Sequence, residues 1–185
     1  FFSSRRRHTR YPLVTGVQTC ALLICLIKSS GRKPMVVVAS KGINPIKSKD
    51  DHGHGGLDPH AWQDVANVKR YAATIAKALA KIDPAGAGDY AQREAVYQAK
   101  LDKLDAEIKA SIAAIPVERR KLITSHDAFG YFAQAYGIDV ISPQGVSTET
   151  EASAKDVARI IRQIKAEKIP AMFLENVTDP RLIEQ

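Results

Sequence analysis

The chain has 185 residues, of which 45% are hydrophobic and 25% are charged, as in an ordinary globular protein. It contains no run of about 18 apolar residues, so the sequence predicts no membrane-spanning helix. The formal charge of +7 falls to +3 without the four arginines of residues 1–25, and the remaining charges of both signs are interspersed. Because no basic stripe with interleaved aromatic residues is present, the composition argues against a nucleic-acid partner.

Residues 1–25 differ in composition from the rest of the chain. They contain an arginine cluster, both cysteines and no acidic residue, and no small-residue cleavage site follows as in a secretory signal. The strings SSRRRHTR and LVTGVQTCAL resemble a translated sequencing adapter. We therefore predict that residues 1–25 are a non-native segment and that His8 belongs to no site. The other 160 residues lack cysteine, so cysteine usage does not identify a redox compartment.

The next segment, up to about residue 86, predicts a strand, a loop and a helix. Residues 35–39, MVVVA, form a short β-branched run that predicts a buried parallel strand. The polar, glycine-rich residues 41–57 predict a loop. Asp58 and Pro59 predict a helix start, because aspartate is a preferred N-cap and proline fits the first helical position. Apolar residues at spacings of three and four extend this helix to about Lys81.

Residues 89–115 carry an apolar stripe along one face and charged residues off it, which predicts a second helix ended by Pro116. At about 1.5 Å per residue the helix would be roughly 40 Å long. This is long for a small domain. A helix of this length with a single stripe is predicted to lie across a larger body.

After this helix, strand and helix patterns alternate along the chain. Such alternation predicts an α/β fold with a parallel sheet. The predicted strands are residues 121–125, 139–142 and 171–175, and the predicted helices are residues 127–137, a helix opened by a capping box at Ser153 to Asp156, and a helix beginning at Asp179 and Pro180.

His60 and His126 are candidate metal ligands. His126 directly follows a predicted parallel strand, and ligands of α/β proteins bind beyond the carboxyl ends of such strands. His60 is the second residue of the helix predicted from Asp58. Both imidazoles are therefore expected near helix N-termini, where the helix dipole favours the neutral ring that binds metal ions.

Each candidate also has an ordinary structural explanation. A histidine near a helix start is more often a surface residue than a ligand. Asp127 beside His126 suggests a catalytic pair, but the chain has no GxSxG motif and no cysteine beyond residue 25 to serve as nucleophile. Glu175, at a predicted strand end, is more often a hydrogen-bonding group than a ligand. His52 and His54 lie in a glycine-rich loop, which is either simply solvated or a weak collector of ions.

Four long motifs together carry a resemblance to a known family. They are GLDPHAWQDVANVKRY, ITSHDAFGYFAQAYGI, PQGVSTETEASAKDVARIIRQIK and FLENVTDPRLIEQ, in that order. From about Leu26 to Gln185 the chain resembles the solute-binding proteins of zinc and manganese ABC importers, and the periplasmic zinc-binding type in particular.

The resemblance implies two Rossmann-like lobes joined by a long rigid helix. Residues 26–86 would be the C-terminal part of the N-terminal lobe with its His-rich loop, residues 87–115 the interlobe helix, and residues 116–185 the N-terminal part of the C-terminal lobe. Of the four metal ligands usual in the family, the second falls on His60 and the third on His126. The first would lie upstream of residue 26 and the fourth beyond residue 185, so the resemblance implies a fragment.

The implied function is extracytoplasmic or periplasmic capture of zinc and its delivery, by a monomer, to an ABC permease in the cytoplasmic membrane, without catalysis. Zinc is favoured over manganese because imidazoles suit zinc and oxygen ligands suit manganese. The loop with His52 and His54 also resembles the His-rich loop of zinc-specific members. The alternatives are a manganese-binding member of the family and a metal-dependent hydrolase that uses His60 and His126 with a bound water.

Overall fold

The structure, a computed structural model, describes residues 29, 31, 35–48, 56–142, 154–167 and 169–173. Its helices are α1 (Val65–Ile82), α2 (Ala87–Ala113), α3 (Gly130–Tyr136) and α4 (Ala154–Glu167). Its strands are β1 (Lys121–Thr124), β2 (Asp139–Ile141) and β3 (Met172–Phe173). Two short 3-10 helices are Ala61–Gln63 and Val117–Arg119.

The three strands form one parallel sheet with β1 in the middle, in the order β2-β1-β3. Ile123 of β1 pairs with Ile141 of β2 on one side and with Met172 of β3 on the other. Ile123 is only 2% exposed, as expected for a central parallel strand covered by helices. The strands predicted near residues 121–125, 139–142 and 171–175 and the α/β class are confirmed within the described residues.

Helices α1 and α2 form an antiparallel hairpin whose turn is fixed by Asp83. The carboxylate of Asp83 accepts hydrogen bonds from the backbone N–H of Gly86, at 3.2 Å, and from the hydroxyl of Tyr90, at 2.9 Å. Helix α2 has 27 residues and confirms the predicted long helix, although it begins and ends two residues earlier than the predicted range of 89–115.

The main apolar cluster joins α2 to helices on both sides. Val65 of α1, Leu101 of α2 and Tyr136 of α3 are buried together. The hydroxyl of Tyr136 also donates to Asp105 Oδ1, at 3.0 Å. Helix α2 is therefore packed against both the part of the chain that precedes it and the part that follows it. The partly buried residues around the cluster are Val68, Ile108, Ile112 and Phe132.

The predicted buried strand at residues 35–39 is wrong. Residues 35–38 are 41–51% exposed, and no strand pairs with them among the described residues. A strand needs a neighbour for its backbone N–H and C=O groups. Residues 35–38 instead run beside the outer face of α1, near Thr74, Ala78 and Lys81.

The helix predicted from Asp58 is divided in two. The 3-10 turn Ala61–Gln63 comes first, and α1 begins only after Asp64, whose carboxylate caps its first turn. Asp58 does not cap an α-helix, because its carboxylate bonds to the backbone and ring of His60. The predicted end of the helix near residue 81 is confirmed by the observed end at Ile82.

Helix α3 is shorter than the predicted range of 127–137. The chain leaves β1 through a turn closed by the Ala128 N–H, which donates to the carbonyl of His126 at 3.1 Å, and α3 begins only at Gly130. Its predicted end is confirmed, since Gly137 has a left-handed φ of 67° that suits glycine.

In the part that the structure describes, no helix has both the length and the apolar character needed to cross a membrane.

Several predictions fall outside the described residues. They concern residues 1–25, His52 and His54, the capping residue Ser153, the side chain of Asp156, Glu175 and the helix predicted at Asp179.

Candidate metal centre

The structure brings His60 and His126 together. Their ring centroids are 5.5 Å apart, with an angle of 69° between the ring planes, although the residues are 66 positions apart in sequence. Each histidine is only 8% exposed. The spatial convergence expected from the sequence is therefore present. Coordination of a metal ion by these rings stays a prediction.

Asp58 orients the ring of His60. Its Oδ1 accepts a hydrogen bond from the His60 backbone N–H at 2.8 Å and contacts the ring Nδ1 at 2.8 Å. A carboxylate oxygen can only accept, so we assign the ring proton to Nδ1. Nε2 then keeps its lone pair for a metal ion, in the carboxylate–histidine arrangement of many metal sites. Asp58 is 6% exposed, so this pair is shielded from water.

The local sequence explains why Asp58 reaches His60. An aspartate side chain readily accepts from the N–H two residues ahead, in an Asx-turn, and Pro59 between them fixes φ. The turn Ala61–Gln63 that follows is held by Asn67, whose side-chain amide donates to the Ala61 carbonyl at 3.0 Å. This buried hydrogen bond connects the 3-10 turn to the first helical turn of α1.

Trp62 lies against the His60 ring. The two ring centroids are 5.3 Å apart in an edge-on contact with an interplanar angle of 65°. Trp62 is 53% exposed, and it is the only tryptophan of the chain. Its fluorescence can therefore report on events at His60.

His126 is positioned by the end of β1. The Thr124 hydroxyl donates to the His126 carbonyl at 2.9 Å, and both Thr124 and Ser125 are 1% exposed. The helix-dipole explanation predicted for the two histidines is wrong, because α3 begins four residues after His126 and α1 five residues after His60. His60 instead directly precedes the short 3-10 turn Ala61–Gln63, and His126 follows the end of β1.

Three residues beside the site were missed by sequence reasoning. Asp58 was predicted as a helix cap, although its spacing of two from His60 was a usable signal for an Asx-turn. Gly130 and Tyr131 contact the Asp58 segment from α3, more than 70 positions away. No local pattern marks such contacts, because they depend on how distant parts of the chain pack.

The described residues do not contain a complete set of metal ligands. Within the ranges that the structure describes, no group of three or more His, Cys, Asp and Glu side chains is arranged to hold a metal ion. Structural zinc sites have four protein ligands, and catalytic sites have three. The two imidazoles would thus need further donors.

The described residues form a parallel sheet beside a long helix, with two buried histidines near the end of the central strand, and this is an α/β architecture. Residues 14–185 match the family described as zinc-uptake complex component A, periplasmic (ZnuA). Because this match includes nearly the whole chain, the chain belongs to that family, and the predicted family is confirmed. The match begins inside residues 1–25, and the non-native origin of that segment stays a prediction.

Individual relatives agree with this family. The zinc-binding protein TroA of Treponema pallidum is 38% identical over 153 residues, which are 83% of this chain and 50% of TroA. The manganese ABC transporter substrate-binding lipoprotein PsaA of Streptococcus pneumoniae is 34% identical over 143 residues, 77% of this chain and 46% of PsaA. The chain thus spans about half the length of these relatives.

A solved structure shows the same fold. The periplasmic zinc-binding protein TroA from Treponema pallidum superposes with a TM-score of 0.76 at 37% sequence identity. The superposition covers 86% of this chain and 57% of that one. The predicted fold class is confirmed by this likeness.

Proposed function

We propose that this chain belongs to a protein that captures zinc outside the cytoplasm, with His60 and His126 as two of the zinc ligands. The observation that carries the proposal is the pair of buried imidazoles 5.5 Å apart, one of them held by a buried carboxylate. Two rings fixed before an ion arrives lower the entropic cost of binding it. The remaining donors would come from water or from residues outside the described part.

Zinc is the proposed cargo, and manganese is the alternative. Zinc prefers nitrogen and sulfur ligands, whereas manganese prefers carboxylate, carbonyl and water oxygens. The described donors are two nitrogens. The relative TroA is named for zinc and PsaA for manganese, so membership of the family does not itself choose the ion. In a competition titration, we expect manganese in large excess to leave bound zinc in place.

Delivery to a membrane permease is proposed as the purpose of capture. The family comprises solute-binding components of metal uptake systems, and we propose an ABC permease in the cytoplasmic membrane as the partner of a monomeric, periplasmic or otherwise extracytoplasmic protein. We further propose that residues 26–86 and 116–185 belong to two lobes joined by residues 87–115. No nucleic-acid partner is proposed.

A transport role is preferred to metal-dependent hydrolysis. A hydrolase of this kind needs a general base near a metal-bound water. The carboxylate that contacts His60, Asp58, is already engaged by the backbone N–H and the ring of His60. It is therefore a support for a ligand and not a spare base. We accordingly propose that the protein is not an enzyme.

The ligand assignment is tested by zinc titration of the chain carrying ¹⁵N-labelled histidines. Long-range ¹H–¹⁵N spectra distinguish Nδ1 from Nε2, and we expect zinc to shift Nε2 of His60 while Nδ1 keeps its proton. Trp62 fluorescence should change over the same zinc range. His60→Ala and His126→Ala should each weaken binding at least about tenfold, since losing even an outer partner of a ligand costs about 10–100-fold.

The matched control for these variants is His8→Ala, which removes a histidine from the segment predicted to be non-native. It should bind zinc like the parent chain. An unchanged isotherm for either His60→Ala or His126→Ala would refute the assignment.

His52 and His54 are proposed as auxiliary, weaker ion contacts in the loop. The double variant His52→Ala, His54→Ala should then leave the tighter zinc affinity nearly intact and remove only weak additional binding. Loss of the tight site in this variant would show that the loop supplies direct ligands.

A further inference from the structure

Tyr131 ties the segment that carries His60 to helix α3. Its side chain is buried, and its hydroxyl accepts a hydrogen bond from the Ile46 N–H at 3.1 Å and donates to the Asp58 carbonyl at 3.3 Å. These partners precede Tyr131 by 85 and 73 positions. The Tyr131 hydroxyl thus links the backbone at Ile46 and at Asp58 to helix α3, which follows His126.

The two partners of Tyr131 are also bonded to each other. The Asp58 N–H donates to the Ile46 carbonyl at 3.0 Å, and the Ser48 N–H donates to the Gly56 carbonyl at 2.9 Å. Residues 46–48 and 56–58 therefore form a short antiparallel pair. Asp58 is the last residue of this pair, and its side chain holds the His60 ring. Movement of the pair would move the ring.

Gly130 contacts the same two residues. A Cβ at this position would lie 2.7 Å from Asp58 Oδ2 and 3.1 Å from Ile46 Cδ1. The first distance is too short for a real contact, so only glycine permits this approach. The Asp58 carboxylate is thus fixed from two sides, with Oδ1 on His60 and Oδ2 against Gly130.

We infer that Gly130 and Tyr131, the first two residues of α3, are positioning residues of the zinc site. They hold Asp58, and through it the His60 ring, at a fixed place opposite His126. The inference rests on the proposed function, in which both imidazoles bind zinc. A site held this way needs little rearrangement when the ion binds, and ligand geometry that is loose by about 1 Å weakens binding.

The first test is Tyr131→Phe, which keeps the ring and removes the oxygen. Zinc alone is titrated against a chromophoric chelator, and its release is followed by stopped flow. We expect the dissociation constant to rise about tenfold, as for other outer partners of metal ligands, with most of the change in the release rate. The visible absorption of bound cobalt(II), which depends on coordination geometry, should change as well.

The matched control is Tyr136→Phe. Tyr136 lies on the same helix and is also buried, but its hydroxyl bonds to Asp105 of α2. Each variant loses one hydroxyl and keeps its ring, so both report a general loss of stability. Tyr136→Phe should leave zinc affinity and the cobalt spectrum unchanged. Equal effects of the two variants on zinc binding, or no effect of either, would overturn the inference.

A second pair keeps the test decisive if Tyr131→Phe does not fold. Gly130→Ala retains the hydroxyl of Tyr131 but displaces the Asp58 carboxylate, and we expect about tenfold weaker zinc binding. Gly88→Ala places the same methyl group on α2, where no atom lies within 4 Å, and should bind zinc like the parent. Equal affinities within this pair would also contradict the inference.

The histidine variants separate this inference from the function on which it rests. If His60→Ala and His126→Ala bind zinc like the parent chain, the proposed function is wrong. If both lose zinc while Tyr131→Phe and Gly130→Ala match their controls, the function stands and the positioning role is wrong.

Discussion

Two regions of the molecule differ sharply in burial. Around the histidine pair, the side chains of Asp58, Tyr131 and Ile123 are at most 6% exposed. Residues 35–38 are more apolar, yet they are 41–51% exposed. Apolar character alone therefore does not bury a segment. Burial also requires a partner surface, which the described residues provide at the site and not at residues 35–38.

The largest expected effect contrasts a core leucine with an exposed valine. Leu101 is 5% exposed between α1 and α3, so Leu101→Ala should leave a cavity and lower the free energy of unfolding by about 3 kcal/mol. Val37 is 41% exposed, and Val37→Ala should change it by less than about 0.5 kcal/mol. Urea unfolding followed by circular dichroism measures both. Similar costs would show that residues 35–38 are covered in solution.

A smaller effect is expected from Tyr136→Phe, because the ring stays in the core and one hydrogen bond is lost. We expect a loss of about 1 kcal/mol at neutral pH. Burial and the hydrogen bond to Asp105 raise the pKa of Tyr136 from 10.0 to about 12. The stabilisation is thus fully present below pH 10.0 and is lost as the pH rises through about 12.

Asp105 sets the acid limit of the same interaction. Its hydrogen bond from Lys109, with a further one from Tyr136, lowers the pKa of the Asp105 carboxyl below the ordinary 3.8. Its stabilisation is present above pH 3.8 and is lost as the pH falls through the lowered pKa. The difference in urea midpoint between the parent and Tyr136→Phe should therefore shrink at both extremes of pH. A difference independent of pH would contradict the hydrogen bond.

The smallest effect is expected at the exposed ion pair between β1 and α4. Lys121 Nζ lies 2.6 Å from Glu167 Oε2, and the hydrogen bond between them raises the pKa of Lys121 and lowers the pKa of Glu167. Because both groups face solvent, Glu167→Gln should shift the urea midpoint less than Tyr136→Phe does. The shift should become smaller as the salt concentration rises, because exposed ion pairs are weakened by screening. A shift that does not change with salt would indicate a buried role.

The fold was predictable where local pattern and packing agree. The strand at Lys121–Thr124 follows from a short apolar run, and the end of α3 follows from Gly137, a glycine that can adopt the left-handed conformation. Both are local signals. The position of His126 followed from the strand before it. The strand expected at residues 35–39 failed, because a run of valines shows a tendency to pair but does not supply the neighbouring strand.

The sequence singled out His60 and His126, which the structure places together, but it did not predict the residues that support them. Asp58 had two local uses, as a helix cap and as an Asx-turn acceptor, and the sequence does not rank them. The ring of His60 adds a second hydrogen bond to the turn, which the helix cap lacks. The roles of Gly130 and Tyr131 depend on contacts over more than 70 positions, and no periodicity in the chain encodes those contacts.

The sequence distance between Tyr131 and its partners has a consequence for the order of folding. The hairpin of α1 and α2 closes a turn of a few residues, whereas the contact from Tyr131 to Ile46 closes a loop of 85 positions. Closing large loops costs more entropy, so the hairpin should form early and the paired imidazoles should assemble late. An ion that recognises only the assembled pair would then act by mass action as a folding ligand and protect amide hydrogens around β1 from exchange.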